Sequence, residues 1–453
     1  MTGRLPPKPT ARPERVSLWR YLQLFRQDIL SAQPAKLYRA WMAEFRTPFF
    51  RSFLVNDTNL IKVVLKDRPA DFPKSHRVGA GLRPLLGNSV FLTNGDVWER
   101  QRRIIDPAFE GGRLRDTFPG MVAAGQAGVA RITPSDAPQE IEAITSHIAA
   151  DVIFRTLFSI PIEDALAQRV FAEFQTYQRS QPIINVAAFV QVPRWVPHLF
   201  RRSTTRSAAS IRRLITELTD MRLAQIEKGD APDDLATKIM TTKDPVTGKC
   251  FNRDEMVDQV AIFFLAGHET SASALAWALY LLALYPDWQD KLAEEASAFN
   301  DDFSQLSHLA VTRDVFRETL RLYPPVPMMV REAAKDEIFR SRHVRRGAQV
   351  VLSPWHLHRH NRTWDNPDAF DPTRWSTDNG RDCARRAYIP FSAGSRVCTG
   401  AGFAMIEGVV LLATLLRVYR FSLSDLPEPV PLAHLTVRSK NGAWLRITKR
   451  VSL

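Results

Sequence analysis

A long apolar segment, residues 260–285, constrains the fold of this chain more than any other feature of its sequence. Its length comes near that of a membrane-spanning helix, which needs about 20 apolar residues. However, His268 and Glu269 lie near its middle, and an ionisable group at that depth in lipid is energetically expensive. We therefore predict a long helix through a protein core. A second apolar segment, residues 411–421, is too short to span a membrane and contains two arginines, so no transmembrane segment is expected.

The rest of the chain has the pattern of a helical protein with small sheets. Apolar residues recur mainly at helical spacing from residue 34 to about residue 323. Strand signals occupy residues 47–55, residues 337–352 with a turn at 345–347, and residues 435–447 around Asn441-Gly442. We find no repeat and no domain boundary. The sequence therefore predicts a mainly α-helical fold with small β-sheets, in a single domain at residues 17–453.

The N-terminal region has a different character. Residues 1–16 are rich in proline and arginine and lack the apolar core of a signal peptide or anchor, so this segment is predicted to be disordered. Residues 17–26 have the pattern of a short amphipathic helix with basic residues. Such a helix can lie on a membrane surface, but we favour its burial against the fold.

The context of Cys398 indicates a reactive sulfur. The chain has only three cysteines, which cannot form a disulfide framework and therefore indicate a reducing compartment, so a cytoplasmic location is expected. Cys398 lies in a glycine-flanked loop, two residues after Arg396 and just before an apolar, helix-compatible stretch that starts at residue 401. A cation, a metal or a helix N-terminus can hold a thiol deprotonated at neutral pH. The loop is therefore predicted to be a thiolate site.

This loop resembles the haem-binding loop of the cytochrome P450 superfamily. The match comprises Phe391, Gly394, Arg396, Cys398 and Gly400. The resemblance, which extends over about residues 54–445, implies a triangular single-domain fold with haem b between the long central helix and the helix after the cysteine loop. It also implies that Cys398 is the axial ligand of the haem iron, that Arg396 pairs with a haem propionate, and that Phe391 shields the sulfur.

The long apolar segment carries a second match. Its residues Ala266, Gly267, Glu269 and Thr270 resemble the oxygen-binding helix of the same family. Gly267 removes side-chain bulk, and Thr270 can donate to a carbonyl one turn back, so the helix can bulge and open a groove. By resemblance, Ala266 and Gly267 contact the haem, while Thr270 and Glu269 are catalytic, holding the bound oxygen and delivering protons.

Other matches concern the support of the site. Glu318 and Arg321 share a helix face, and together with Arg374 they resemble a buried network that folds the cysteine loop into place. Haem propionates require cations. The resemblance assigns further haem contacts at three positions, namely Trp98, Arg102 and Arg331.

The resemblance also outlines a substrate pocket and an activity. The expected lining is largely apolar, which favours a lipophilic small molecule, and consists of Leu86, Ser89, Val90, Phe263, Ala266, Val326, Met328 and Leu435. The predicted function is haem-dependent insertion of one atom of O2 into such a substrate, by hydroxylation or epoxidation. One alternative is a peroxide-driven peroxygenase of the same fold, which commonly lacks the acid–alcohol pair present here. The other is a non-catalytic haem-thiolate ligand sensor, which would not consume NADH in proportion to a product.

The charge of the chain bears on its partners. Its 61 Lys and Arg outnumber its 48 Asp and Glu, which gives +13 and favours acidic partners. The charge is spread along the chain and no nucleic-acid-binding signature appears, so no nucleic acid partner is expected. An acidic ferredoxin or flavodoxin with its NAD(P)H reductase agrees with the resemblance, because no reductase domain follows within the sequence. A basic patch for this partner is predicted at Arg385, Arg386, and Arg100 or Arg103.

Overall fold

The computed structural model of the protein describes residues 4–46, 51–180 and 202–450, which are mainly helical with small sheets, as predicted. The helices are α1 (Leu18–Gln27), α2 (Thr58–Lys62), α3 (His76–Leu86), α4 (Gly95–Ile105), α5 (Arg113–Arg131), α6 (Ile141–Phe158), α7 (Ala165–Ser180), α8 (Arg202–Lys228), α9 (Leu235–Thr241), α10 (Arg253–Leu284), α11 (Pro286–Ser297), α12 (Ala310–Leu322), α13 (Pro354–Leu357), α14 (Asp378–Arg386) and α15 (Ala401–Val418). The strands are β1 (Met42–Arg46), β2 (Arg51–Val55), β3 (Ser135–Glu140), β4 (Met329–Glu332), β5 (Glu337–Phe339), β6 (Arg342–Val344), β7 (Gln349–Leu352), β8 (Tyr419–Leu423), β9 (Pro431–Ala433), β10 (Val437–Ser439) and β11 (Trp444–Lys449). Short 3₁₀ helices occupy Ala35–Tyr38, Pro69–Asp71, Asp106–Phe109, Phe303–His308, Pro372–Ser376 and Gly394–Arg396, and a π-helical turn occupies Val63–Asp67.

Helix α10 lies at the centre of the fold. The Asn252 side chain accepts from the Glu255 N–H at 2.9 Å, while the Glu255 carboxylate accepts from the Asn252 N–H, so a capping box starts the helix. The helix extends for 32 residues and is buried along most of its length against α6, α8 and α15. The predicted core helix over residues 260–285 is therefore confirmed.

Helix α15 is the one described helix that is long and apolar enough to cross a membrane. Within the fold, 61% of it is buried, mainly against α5, α10 and α11. A helix in the core of a globular protein has the same composition. The segment judged too short in the sequence, residues 411–421, thus comprises the second half of this longer apolar helix and the start of β8.

A four-stranded sheet has the order β1-β2-β7-β4, in which only β2 and β7 are parallel. Strand β2 occupies the end of the strand predicted at 47–55, of which residues 47–50 lie outside the described part. Strands β5, β6 and β7 occupy the segment predicted at 337–352, and the turn before β7 contains Gly347 at φ 82°. The sheet places β4 at one edge and β1 at the other.

The predicted strand segment around Asn441-Gly442 is divided between two sheets. Strand β10 pairs with β9, whereas β11 pairs with β3 and β8. Gly442 does turn the chain, with φ 77°, but the two strands on either side of it are not partners.

Residues 4–16 follow the surface of the fold, which differs from the predicted disorder of residues 1–16. The Tyr285 hydroxyl donates to the Arg4 carbonyl at 2.5 Å, and the Tyr323 hydroxyl donates to the Pro7 carbonyl at 2.8 Å. The sequence did not reveal these contacts because both tyrosines come from distant parts of the chain.

Helix α1 is only partly buried against the fold, since Tyr21, Leu22, Leu24 and Phe25 on one face are half-buried and the opposite face is exposed. None of its residues is buried, and Trp19 is 79% exposed. Its link to the sheet is the Tyr21 ring, which stacks on Phe45 of β1 with the centroids 6.4 Å apart.

Candidate active site

The loop before α15 folds back on itself around Cys398. The Cys398 N–H donates to the Phe391 carbonyl at 2.9 Å, and the Val397 N–H donates to the Gly394 carbonyl at 3.1 Å. Gly394 has φ 69°, and a Cβ there would lie 1.9 Å from the Leu65 carbonyl oxygen. Glycine is therefore required for the loop to approach its neighbour this closely.

The Cys398 sulfur lies at the N-terminal end of α15, where Gly400 is the N-cap. The side chain is accessible, yet the dense protein around it raises the pKa of the thiol, whereas the Gly400 N–H and the charge of Arg102 lower it. Arg102 is held in place by Asp106 and by the Val397 carbonyl, each at 2.8 Å. The N–H at the start of α15 agrees with the sequence, whereas the cation that acts on the thiol is Arg102 and not the expected neighbour Arg396. A metal cation on the sulfur would favour the thiolate further.

Two cations without a carboxylate partner among the described residues lie over the ring of Trp98, and a third, Arg331, is joined to one of them by a backbone bridge. The Lys74 ammonium and the Arg396 guanidinium lie 5.5 and 5.4 Å from the centroid of that ring, and Lys74 forms a backbone bridge with Arg331. Within the described ranges, no carboxylate lies at salt-bridge distance from any of the three. We call Lys74, Arg331 and Arg396 the Trp98 cation cluster.

The electrostatics of the Trp98 cation cluster indicate that it needs an anion. Burial, with the charges of Arg331, Arg396 and Arg102, lowers the pKa of Lys74 to about 6. Burial, with the charge of Arg396, lowers the pKa of Arg331 to about 10. The Nε atoms of Arg331 and Arg396 are buried without a hydrogen-bond partner in the described part of the chain. Since unpaired buried cations are strongly unfavourable, two carboxylates such as the propionates of haem fit this cluster.

Helix α10 is open on one stripe that faces away from its buried sides. Phe263, Ala266, Gly267 and Thr270 are accessible at helical spacing, whereas most of their neighbours are buried. The Thr270 hydroxyl donates to the Ala266 carbonyl at 2.5 Å, as the sequence suggested. The predicted bulge is absent, because α10 is a continuous α-helix through these residues. The stripe itself therefore provides a surface free of bulky polar groups, with one hydroxyl at its end.

The Glu269 carboxylate lies on a different side of α10. It accepts from the Thr436 hydroxyl at 2.6 Å and pairs with Arg438 at 2.9 Å. Glu269 and Arg438 border a pocket of about 210 Å³ that Glu142 and His268 also line. Burial raises the pKa of Glu142 to about 7 and lowers that of His268 to about 3. The pocket thus joins Glu269 to a carboxyl that exchanges protons near neutral pH.

A second buried acid, Glu407 of α15, faces α10. It accepts from the Ser271 hydroxyl at 2.5 Å, while its other oxygen is buried without a partner in the described residues. Burial raises its pKa to about 8. The neutral acid is therefore the form that the fold stabilises at neutral pH.

We expect Glu407→Gln to remove part of the pH dependence of stability. The folded pKa of Glu407 lies above its unfolded value, so its stabilising effect is complete below about pH 4.5 and is lost as the pH rises to about 8. Relative to the native chain, the variant should gain on the order of a few kcal/mol between pH 5 and pH 8, measured by denaturant unfolding at both values. An equal difference at the two pH values would contradict the assignment.

Glu318, Arg321 and Arg374 form a buried ion-pair network. The Glu318 carboxylate accepts from Arg321 at 2.8 and 2.9 Å and from Arg374 at 2.9 Å. The relative exposure of these side chains is 0%, 0% and 4%. The geometry that the resemblance implied is thus present. The network connects α12 to the segment that precedes α14.

The residues expected to line a substrate pocket fall into two groups. Leu86 and Ser89 have no accessible surface, so they are packed in the core and do not line a cavity. The other six have accessible surface, with Leu435 the most open residue outside α10 at 38%: Val90, Phe263, Ala266, Val326, Met328 and Leu435. Leu86 lies on the buried face of α3, in the same core cluster as Leu82 and Leu85.

The arginines expected to form a basic patch all have carboxylate partners. Arg100 pairs with Glu255 at 2.7 Å, and Arg103 pairs with Asp244 at 2.6 Å. Arg385 and Arg386 both pair with a third acid, Asp382. These pairs partly neutralise the predicted patch.

Comparisons with known proteins bear on the family of this chain. A family model described as Cytochrome P450 matches residues 13–445. Cytochrome P450 4A14 of Rattus norvegicus is 30% identical over 87% of this chain and 81% of its own. The cyclooctat-9-en-7-ol 5-monooxygenase of Streptomyces melanosporofaciens is 29% identical over 95% of this chain and 90% of its own.

A solved structure shares the fold. The crystal structure of the cytochrome P450DA heme domain superposes with a TM-score of 0.79 and 24% identity, over 99% of this chain and 98% of its own. The match over nearly the whole chain accounts for the helical bulk, the small sheets and the cysteine loop before α15. The chain is a member of the cytochrome P450 family, and its monooxygenase relatives identify it as a cytochrome P450 monooxygenase.

Proposed function

We propose that this enzyme uses haem b to insert one atom of O2 into a lipophilic small molecule. The observation that carries the proposal is the Trp98 cation cluster, whose unpaired buried cations require carboxylates, near a loop that presents the thiol of Cys398. Cys398 would ligate the iron, and the cluster would bind the propionates. A haem iron bound by a thiolate supplies the chemistry of O–O cleavage.

The roles of the neighbouring loop residues follow from their contacts. Arg102 donates to the Val397 carbonyl, so we assign it to positioning of the cysteine loop. Phe391 and Gly394 shape the same loop through the bonds around Cys398. Lys74, whose ammonium donates to the Val90 and Thr93 carbonyls, would add a cation to the propionate contacts expected at Arg331 and Arg396.

Two residues of α10 would handle protons. Thr270 presents its hydroxyl at the end of the open stripe, where it can donate to a bound oxygen once it leaves the Ala266 carbonyl. Glu269 lies one residue earlier, at the wall of the 210 Å³ pocket. The pocket gives Glu269 access to water and to Glu142. The salt bridge with Arg438 would stabilise the ionised carboxylate of Glu269 before it takes up a proton. Glu269 would thus take up protons for the Thr270 hydroxyl to pass on.

Replacement of Thr270 by Ala tests this function. We expect haem binding and NADH consumption to persist, while product per NADH falls about tenfold or more and hydrogen peroxide rises, because only protonation of the bound oxygen is disturbed. Thr219 of α8 is a matched control, since its hydroxyl also donates to a carbonyl one turn back, at 2.9 Å. Unchanged coupling in Thr270→Ala, or equal loss in Thr219→Ala, would overturn the proposed role.

The partners and substrate belong to the same proposal. We expect electrons from a separate acidic ferredoxin or flavodoxin with its NAD(P)H reductase, in the cytoplasm. The substrate would contact the apolar part of the α10 stripe, at Phe263 and Ala266. A screen of fatty acids, terpenoids and small aromatics for a low-spin to high-spin absorbance shift would identify its class. Product formation with hydrogen peroxide but none with NADH and a reductase would favour the peroxygenase.

A further inference from the structure

A strongly basic pocket lies at the β1 edge of the four-stranded sheet. It has a volume of about 370 Å³, within the range of about 300–1,000 Å³ typical of small-ligand sites. Trp41 forms part of its wall. The residues that line it are Lys36, Arg39, Ala40, Trp41, Met42, Arg340, Arg342 and Arg362. We call this the Trp41 pocket.

Five cations of the Trp41 pocket come from three separate segments of the chain. Two of them have an acidic neighbour, since Arg340 pairs with Asp57 at 2.5 Å and Arg342 lies 3.9 Å from Glu44. The other three have no carboxylate within 4 Å among the residues described, namely Lys36, Arg39 and Arg362. The pocket therefore carries a surplus of positive charge.

Glu44, an acid next to the pocket, also indicates a surplus of positive charge. A hydrogen bond from Arg46, with the charges of Arg51 and Arg342, lowers the pKa of Glu44. Three arginines thus share one carboxylate, which leaves little negative charge for the pocket itself. Like charges held in one concavity repel each other, and a bound anion relieves that repulsion.

The backbone of the Trp41 pocket is held in place before any ligand binds. The buried Asn56 amide donates to the Leu37 carbonyl at 2.9 Å and to the Ala40 carbonyl at 3.0 Å. These two bonds fix the segment that carries Lys36 and Arg39. The Trp41 carbonyl in turn accepts from the Asn56 N–H at 2.8 Å. Because the backbone that carries these side chains is already ordered, binding of a ligand has a lower entropic cost.

Two further contacts hold the residues of the pocket in place. The Trp41 ring stacks on the ring of His360, with the centroids 4.4 Å apart. The Asn361 N–H donates to the Tyr38 carbonyl at 2.8 Å, so the segment that carries Arg362 is tied to the segment that carries Arg39. The segments that carry Arg39 and Arg362 are therefore anchored to each other, whereas Arg340 and Arg342 belong to the separate β5–β6 hairpin.

We propose that the Trp41 pocket binds an anion that bears phosphate groups. Planar guanidinium groups match phosphate oxygens in pairs, which favours phosphate over a lone carboxylate. The site is separate from the haem site, because Arg331 lies on β4 at the opposite edge of the same sheet. The phosphate group can belong to a soluble molecule or to the headgroup of a membrane lipid. The partly exposed helix α1, which packs on β1 through Tyr21, lies near enough to the pocket's strand to add apolar contacts in the second case.

Calorimetry with inorganic pyrophosphate and co-sedimentation with vesicles test the two sources on the haem-loaded protein. The vesicles are of phosphatidylcholine, with and without phosphatidic acid. In the double variant Arg39→Glu, Arg362→Glu we expect affinity for pyrophosphate, or for the acidic vesicles, to fall about tenfold or more. Binding of pyrophosphate assigns a soluble ligand, and binding of acidic vesicles alone assigns a lipid headgroup.

The matched control is the double variant Arg345→Glu, Arg346→Glu. It makes the same change in net charge at two exposed arginines outside the pocket, so any loss due to overall charge appears in both variants. Equal losses in the two variants, or no binding of either probe by the native chain, would overturn the proposal. So would a pocket variant that slows reduction by a ferredoxin but leaves both probes unaffected, because the surface would then belong to a protein partner.

Discussion

Replacement of Cys398 by Ser should abolish the red-shifted Soret band that the reduced carbonyl adduct of the native protein is expected to show. That band requires a thiolate on the iron, and a serine hydroxyl at this position would not be deprotonated at neutral pH. The Gly400 N–H and the charge of Arg102 both lower the pKa of the Cys398 thiol. Neither group can provide a thiolate when the sulfur itself is absent. We therefore expect a complete loss of the thiolate spectrum, measured as the difference spectrum of the reduced protein with and without carbon monoxide.

The other two cysteines provide the controls. Cys383 is buried, donates to the Thr363 carbonyl at 3.1 Å, and has its pKa raised to about 11 by burial. Cys250 donates weakly to the Thr241 carbonyl at 3.6 Å. Serine at either position should leave the thiolate spectrum intact. If the thiolate spectrum survived in Cys398→Ser and disappeared in one of these controls, the iron ligand would be the cysteine replaced in that control, and the assignment to Cys398 would be wrong.

Most features of the site that the sequence predicted are encoded within one short segment, whereas the network of Glu318, Arg321 and Arg374 joins distant segments and was expected only from the family resemblance. The bonds around Cys398 connect residues 391 to 400, and the hydroxyl bond of Thr270 stays within one helical turn. Local spacing is sufficient to predict such contacts. The length of α10 was predictable for the same reason, because a long apolar segment interrupted by ionisable groups has few other structures available to it.

The features that the sequence did not predict depend on distant segments. Lys74 stands in no recognisable motif, and it lies over the Trp98 ring in a segment whose backbone forms a bridge with Arg331. Leu86 was expected to line a pocket, but it lies on the buried face of α3 with Leu82 and Leu85, in the main hydrophobic core. Strand β3 has a sequence of low strand propensity, and its pairing with β11 determines its structure. In each of these examples, the position of the residue or strand depends on contacts with distant parts of the chain.

The network around Glu318 extends from α12 to the cysteine loop. The Arg321 guanidinium donates to the carbonyls of Pro367 and Ala369 at 2.6 and 2.8 Å. The Arg321 carbonyl contacts the Nδ1 atom of His358 at 3.2 Å, and the Nε2 atom of His358 accepts from the Ile389 N–H at 2.9 Å. Because Ile389 lies two residues before Phe391, the network fixes the chain where it enters the loop.

Replacement of Glu318 by Gln should therefore destabilise the whole enzyme and reduce its haem content. The amide would leave the two guanidinium groups of Arg321 and Arg374 buried without a counter-charge, and breaking a buried ion pair in this way costs about 3–5 kcal/mol. Since the stability of a folded protein is typically about 5–15 kcal/mol, we expect a large fall in the unfolding midpoint. The measurements are denaturant unfolding and the amount of haem per polypeptide.

An exposed ion pair serves as the control for this loss. Asp220 pairs with Arg253, and about half of each side chain is exposed, so Asp220→Asn should cost no more than about 1 kcal/mol. Both variants remove one negative charge, and only Glu318→Gln leaves buried cations behind. If the two variants lost similar stability, burial of the Glu318 network would not be what holds the cysteine loop. If Glu318→Gln lost stability but retained full haem content in its folded fraction, the network would stabilise the fold without positioning the loop. The chain of contacts through His358 and Ile389 predicts that both are lost together.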